Sequence, residues 1–255
     1  MTVDPRDDPE FHGPVPKPGS LQKSWLIEIL LALGVTGLLV ILLLPAISSN
    51  CEVSRATQCS RNMRQIALGL QLYHNKYGAF PPAYTVDADG QPLHSWRTLI
   101  LPFIDEPFLY EDLDLTKPWD DPANARVFET PIGIYLGPES ETPRNATTYL
   151  AITAAGGWSQ PGRPRAIEEI TDGPSNTLLL IEVDDRSAVP WGAPIDADLA
   201  TILNLGGKSK TAHPGGFHAV FADGRVKFLK ASLPAATRRA LITIAGGEKV
   251  DPESY

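Results

Sequence analysis

Between Trp25 and Ile47 the chain reads WLIEILLALGVTGLLVILLLPAI, and Glu28 is its one charge. A run of this length and polarity is long enough to cross a bilayer core of about 30 Å as a helix. A buried helix of a soluble protein would normally keep a polar face, which this stretch lacks. A cleaved secretory signal would have an apolar centre of about 7–15 residues and small residues at a cut site. The expectation is a retained membrane helix over 24–47, with a folded domain tethered after it.

The remaining numbers bound that domain. Removing the leader and anchor leaves roughly 200 residues, enough for one domain with its own core. The formal charge is −8; five acidic and three basic residues up to Glu28 account for −2, so −6 belongs to the tethered domain. That balance excludes nucleic acid as an expected partner, because phosphate binding needs a basic surface. The two cysteines, Cys51 and Cys59, fall on one helical pattern about 12 Å apart along its axis. Bridging needs Cα atoms within about 7 Å, so free thiols are expected. No zinc spacing is present.

Residues 1–23 are polar, Pro-rich and without periodicity, which predicts a short disordered leader. Arg6, Lys17 and Lys23 precede the apolar run and Arg55, Arg61 and Arg64 follow it, so the positive-inside rule leaves orientation open. Within the run, Gly34 and Gly37 permit close approach of another helix, and Pro45 removes a backbone donor, which predicts a bend. Helical spacing resumes through Val53, Ala56, Met63, Ala67 and Leu70, widened by Ile66 and Tyr73, and should stop at Tyr77–Gly78.

Beyond that point, Ser95 caps a short helix from Trp96, and Phe108, Leu109 and Leu113 suggest another. Asp121-Pro122 opens a third towards Phe128. Strands are expected at 132–136, 147–153 and 177–181, followed by a hairpin of 217–222 and 225–229 around Asp223-Gly224. A last helix follows Pro234. The fold class is α+β: a long amino-terminal helix, half membrane span and half spine, packed on an antiparallel sheet with short extra helices.

Several motifs then resemble a known family. Leu26-Ile27-Glu28 entering the apolar helix, with Leu43-Leu44-Pro45-Ala46 at its end, resembles the start of type IV pilins and type II secretion pseudopilins. Cys59-Ser60-Arg61-Asn62-Met63-Arg64-Gln65-Ile66, Tyr73-His74-Asn75-Lys76-Tyr77-Gly78 and Phe80-Pro81-Pro82-Ala83 are similar to the planctomycete pilin-like family known as domain of unknown function 1559. So are Ser95-Trp96-Arg97, Lys117-Pro118-Trp119-Asp120, Ile170-Thr171-Asp172-Gly173-Pro174-Ser175-Asn176-Thr177 and Val189-Pro190-Trp191. The family's closing signature, a His, nine residues, then Asp-Gly, is matched by His213 with Asp223-Gly224. The resemblance implies a pilin-like fold in a bacterial inner membrane, with a cytoplasmic leader and 48–255 as a periplasmic domain. It implies no settled activity.

Two departures qualify it. Prepilin peptidase cuts after a Gly where this chain has Lys23, so the leader is expected to stay. Relatives commonly carry a Cys where this chain has Gly137, which puts the family's disulfide to Cys59 in doubt.

Two readings of Glu28 stay open. The resemblance implies an assembly contact with a neighbouring subunit's amino terminus, and the helix-start position suits a carboxylate by itself. His213 is expected to make a structural hydrogen bond in its loop, and His218 to point to solvent, opposite Phe217, Ala219 and Phe221. Asp223 and Gly224, like Asp172, Gly173 and Asn176, read as turn residues. Glu182, Asp184 and Asp185 lack the spacing of a calcium loop and read as a solvated strand end. Most tryptophans should plug the core, with Trp158 and Trp191 as candidates to face a partner.

No catalytic set, cofactor or metal is expected, since phosphate loops, nucleophile elbows and metalloprotease helices are missing. The function expected is a non-enzymatic envelope protein acting in assembly or secretion. Its partners would be the bilayer and other pilin-like helices or copies of itself. The alternative is a tethered solute- or polysaccharide-binding protein of unknown ligand. The intact mass of the membrane-extracted protein should equal that of an uncleaved chain; an amino terminus at Ser24 would overturn the expected retention of the leader.

Overall fold

The computed structural model describes residues 21–138, 142–206, 211–251 and 255, and for 21–24, 26 and 40–51 the backbone alone. The chain divides into two units, one up to Cys51 and one from Glu52 to Tyr255. Helix α1 is Leu21–Tyr77.

In the first unit, the described apolar side chains from Trp25 to Leu39 are 44–68% exposed. A Cβ placed on Gly34 or Gly37 would meet nothing within 4 Å. Thr36 turns its hydroxyl back onto the Ala32 carbonyl at 2.8 Å, which satisfies the one polar side chain of that segment besides Glu28. Among the described residues no helix is long and apolar enough to cross a membrane. The apolar run continues through 40–47, whose side chains lie outside the described residues, as do those of Lys23 and Pro45.

The second unit is built on a four-stranded antiparallel sheet. Its strands are β4 (Tyr149–Ala151), β5 (Leu178–Glu182), β7 (Gly216–Phe221) and β8 (Val226–Lys230), in that spatial order. Two small pairs lie outside it: β1 (Tyr84–Val86) with β2 (Pro92–Ser95), and β3 (Ala146–Thr147) with β6 (Val189–Pro190). Short helices fill the connections: α2 (Trp96–Leu99), α3 (Pro107–Glu111), α4 (Ala125–Phe128), α5 (Leu199–Asn204) and α6 (Ala235–Ala240).

The physical reason for the arrangement lies in β5. LLLIE has no alternation, and all five residues are buried, as expected of a strand covered on both faces. On one face Leu180, Tyr149, Ala151, Val220 and Ala222 join Met63, Ile66, Ala67 and Leu70 of α1. On the other, Ile181, Ala219, Phe221 and Leu229 join Ile202, Leu205 and Leu233 from the α5–α6 region. The sheet is therefore the middle of three layers. Residues two apart along a strand share a face, so Glu182 and His218 project to the α1 side with Leu180 and Val220.

Local signals set most element ends. Gly78, at φ 76°, stops α1. Ser95 accepts the Arg97 N–H at α2 and Asp121 accepts that of Ala123 ahead of α4. Four expectations need correcting. Residues 132–136 form no strand, because Gly133–Tyr135 is a 3₁₀ turn that tucks Tyr135 into the core, where its hydroxyl donates to the Arg97 carbonyl. The stretch 147–153 is split, β3 pairing with β6 and β4 with β5. Val53 is 65% exposed and does not extend the buried stripe of α1. Trp158 and Trp191 are fully buried, their indole N–H groups donating to Leu179 and Thr130 carbonyls, so neither faces a partner. The β7–β8 hairpin is present, with Asp223 and Gly224 inside a longer loop, Ala222 to Arg225.

The ion pair between Arg97 and Asp196 is enclosed. Arg97 meets Asp196 at 2.5 Å, both side chains at most 1% exposed. Its remaining donors reach the Tyr149 carbonyl and Ser95 Oγ, while Asp196 also accepts from Ala151 N and Trp96 Nε1. Removing one partner strands the other charge away from water. Asp196→Asn should therefore lower unfolding stability by about 3–5 kcal/mol in denaturant titrations. The double variant Arg97→Met with Asp196→Leu should lose less.

Candidate functional site

Glu182 ends β5 on the face covered by α1, and its side chain is 3% exposed. A buried charge needs partners, and three elements supply them. His218, two residues into β7, places Nδ1 2.8 Å from Oε2. His213, in the loop before β7, brings Nε2 to 3.2 Å from Oε1 and 3.1 Å from Oε2. From α1, the Cys59 thiol is hydrogen-bonded to the same carboxylate and to Tyr149.

His213 is held on its other side as well. Its Nδ1 lies 2.7 Å from Glu52 Oε1, one face of α1 thus gripping the loop. Backbone bonds between His213 and Gly216 close the loop. Gly216 has no room for a side chain, since a Cβ there would sit 2.2 Å from the Leu229 carbonyl and among the Phe228 ring atoms. Phe228 packs edge-on to His218 at 5.3 Å between ring centres. Asn62 completes the wall, donating to the Leu136 carbonyl at 2.9 Å and to Tyr149 Oη.

Protonation follows from these contacts. Burial acts to raise Glu182, but hydrogen bonds from His213 and His218, the His213 charge and the Cys59 thiol outweigh it and bring the carboxyl down to about 2. Burial acts to lower His213, but the Glu182 and Glu52 carboxylates outweigh it and the imidazole is raised. Burial first, then the Glu182 charge, pushes the Cys59 thiol up. The contacts thus hold Glu182 as a carboxylate, favour the charged form of His213 and keep the thiol neutral. Such a thiol is far from the electropositive surroundings that make a cysteine nucleophilic.

A polar cavity of about 210 Å³ opens against this cluster, lined among others by Arg55, Cys59, Gly137, Thr148, Asp184 and His213. Cys59 is a free, buried thiol, and Gly137 shares its cavity, so no sulfur stands there to pair with it. The side chain of Cys51 lies outside the described residues.

The other expected residues lie elsewhere. Asp172 accepts from Gly246 N, Gly247 N and Thr243 Oγ1, locking the chain's last turn onto the approach to β5. Gly173 has φ 95°, and Asn176 donates to the Asp172 carbonyl. Asp223 accepts from Arg225, and Gly224 has φ 85°. All five act as turn residues. His213 does make its structural hydrogen bonds. Two expectations are corrected: His218 is buried, because it lies on the face of the sheet that α1 covers, and Glu182 is no solvated strand end, although Asp185 beyond it is exposed.

The second unit is an α+β domain with a helix laid on one face of a four-stranded antiparallel sheet and a histidine–carboxylate–thiol cluster sealed between them. The chain belongs to the family described as "Protein of unknown function (DUF1559)", labelled SBP_bac_10, whose model matches residues 49–208. The match includes Cys59 and Glu182 and ends before His213 and His218. No curated protein and no solved structure matches the chain.

The cluster makes stability depend on pH in two directions. The contribution of Glu182 is complete above its unfolded value of 4.5 and is lost as pH falls through about 2. That of His213 is complete below its unfolded value of 6.5 and is lost as pH rises through its elevated folded value. In buffer with a chelator, urea midpoints should be highest between those two unfolded values and fall on both sides. In His213→Gln the alkaline fall should shrink.

Proposed function

We propose that this protein is a membrane-anchored, pilin-like envelope protein that acts through its anchor helix and domain surface in an assembly or secretion apparatus, without catalysis. The observation that carries this reading is the apolar side of α1. From Trp25 to Leu39 its large side chains are about half to two-thirds exposed, which is unfavourable in water at roughly 25 cal/mol per Å² of apolar surface and natural in lipid. Gly34 and Gly37 leave open space where another helix could approach closely. The leader is then cytoplasmic and the domain periplasmic, in a bacterial inner membrane. Glu28 either meets a neighbouring subunit or rests near the headgroups.

A second reading, a tethered solute- or polysaccharide-binding protein, is favoured by one feature. A cleft of about 410 Å³ between Tyr84, Gln160, Pro161 and Pro194 is lined by Ser159 and Asp196. Ser159 Oγ and Asp196 Oδ2 lie behind its wall, buried without a hydrogen-bond partner.

Fractionation separates these outcomes. The full chain should stay in the membrane pellet through alkaline extraction, leave it with detergent, and crosslink into oligomers that disappear when 25–47 is deleted. A chain freely soluble without detergent would overturn the anchor. Oligosaccharide-induced thermal shifts of the detergent-extracted full chain, without anchor-dependent oligomers, would favour the second reading.

A further inference from the structure

The buried cluster is more than a satisfied carboxylate, because its donor atoms are of three different kinds and converge. Cys59 Sγ, a Glu182 carboxylate oxygen and a ring nitrogen of His213 all lie within 4.8 Å of one another. They come from α1, from the end of β5 and from the loop before β7. We propose that Cys59, Glu182 and His213 form a binding site for a divalent transition-metal ion, of which Zn²⁺ is the best match. This site is independent of the anchor and goes beyond the function proposed above.

Geometry supports three protein bonds. Tetrahedral zinc with its usual bond lengths separates neighbouring ligand atoms by about 3.3–3.8 Å. His213 Nε2 and the Glu182 oxygens are already 3.1–3.2 Å apart, and the widest separation in the set closes by about 1 Å. The fourth position opens on the cavity of about 210 Å³, where water or a solute atom completes the shell. A thiol, an imidazole and one carboxylate suit zinc; calcium and magnesium take oxygen ligands almost alone.

The surroundings are those a metal site needs. Glu52 accepts the Nδ1 proton of His213 at 2.7 Å, which fixes the tautomer with Nε2 turned inward. Carboxylate partners of ligating histidines do this in metal proteins. His218 donates from Nδ1 to Glu182 at 2.8 Å and orients the carboxylate.

Metal binding needs Cys59 as a thiolate and an unprotonated Nε2 on His213, so the protons those atoms carry leave as the ion enters.

The test uses the full chain in detergent, stripped with a chelator, desalted and titrated with Co²⁺ as a spectroscopic stand-in. One equivalent should bind, with the visible bands of tetrahedral cobalt and a near-ultraviolet thiolate-to-cobalt charge-transfer band, and Zn²⁺ should displace it. Cys59→Ser should lose the charge-transfer band. Glu52→Gln should weaken binding about 10–100-fold. Uptake well below one equivalent at tenfold excess, or a cobalt spectrum without thiolate absorption, would overturn the site on wild-type protein alone. Wild-type affinity and spectrum in a folded Cys59→Ser would do the same.

Discussion

Glu182 carries a full charge at the end of a strand that is covered on both sides. Burial strips it of most of its water, so the protein itself has to supply partners, and the elements that do so are those that define the domain. His218 comes from the neighbouring strand β7, His213 from the loop that leads into it, and Cys59 from the helix that roofs the sheet. Glu52 then ties His213 back to that helix. The three layers meet at one carboxylate, and a shift of any of them leaves a buried charge short of a partner.

A second enclosed charge plays a similar part. Arg97 binds the Tyr149 carbonyl and Asp196 together. Tyr149 lies opposite Glu182 in the β4–β5 register. The two polar centres therefore meet the same strand pair, one at each member of that residue pair. Such centres add little net stability over hydrophobic packing, but they penalise every arrangement that leaves one partner behind.

The cluster's polarity also separates it from a nucleophilic cysteine site. Cysteine chemistry needs a thiolate, and here burial and an adjacent carboxylate both oppose one. A metal ion held by the same side chains would change that balance, since it brings its own charge.

What the sequence determined by itself was local. The stop of α1 at Gly78, the Ser95 and Asp121 caps, the apolar strand at 178–181 and the turn chemistry of Asp172 and Asp223 depend on neighbours a few residues away. They are legible wherever spacing and caps are strong. The apolar run of 25–47 is equally plain as composition. His213 stood out because the family signature marks it, while Cys59 looked like an idle thiol and Glu182 like a strand end in water. Only the tertiary structure decided otherwise. Alternation along β7 gives the face on which His218 lies, but whether that face meets solvent or a helix depends on residues about 150 positions earlier. Cys59, Glu182 and His213 have no meaningful spacing in the chain, and they became a site only when helix, strand and loop were packed on one another.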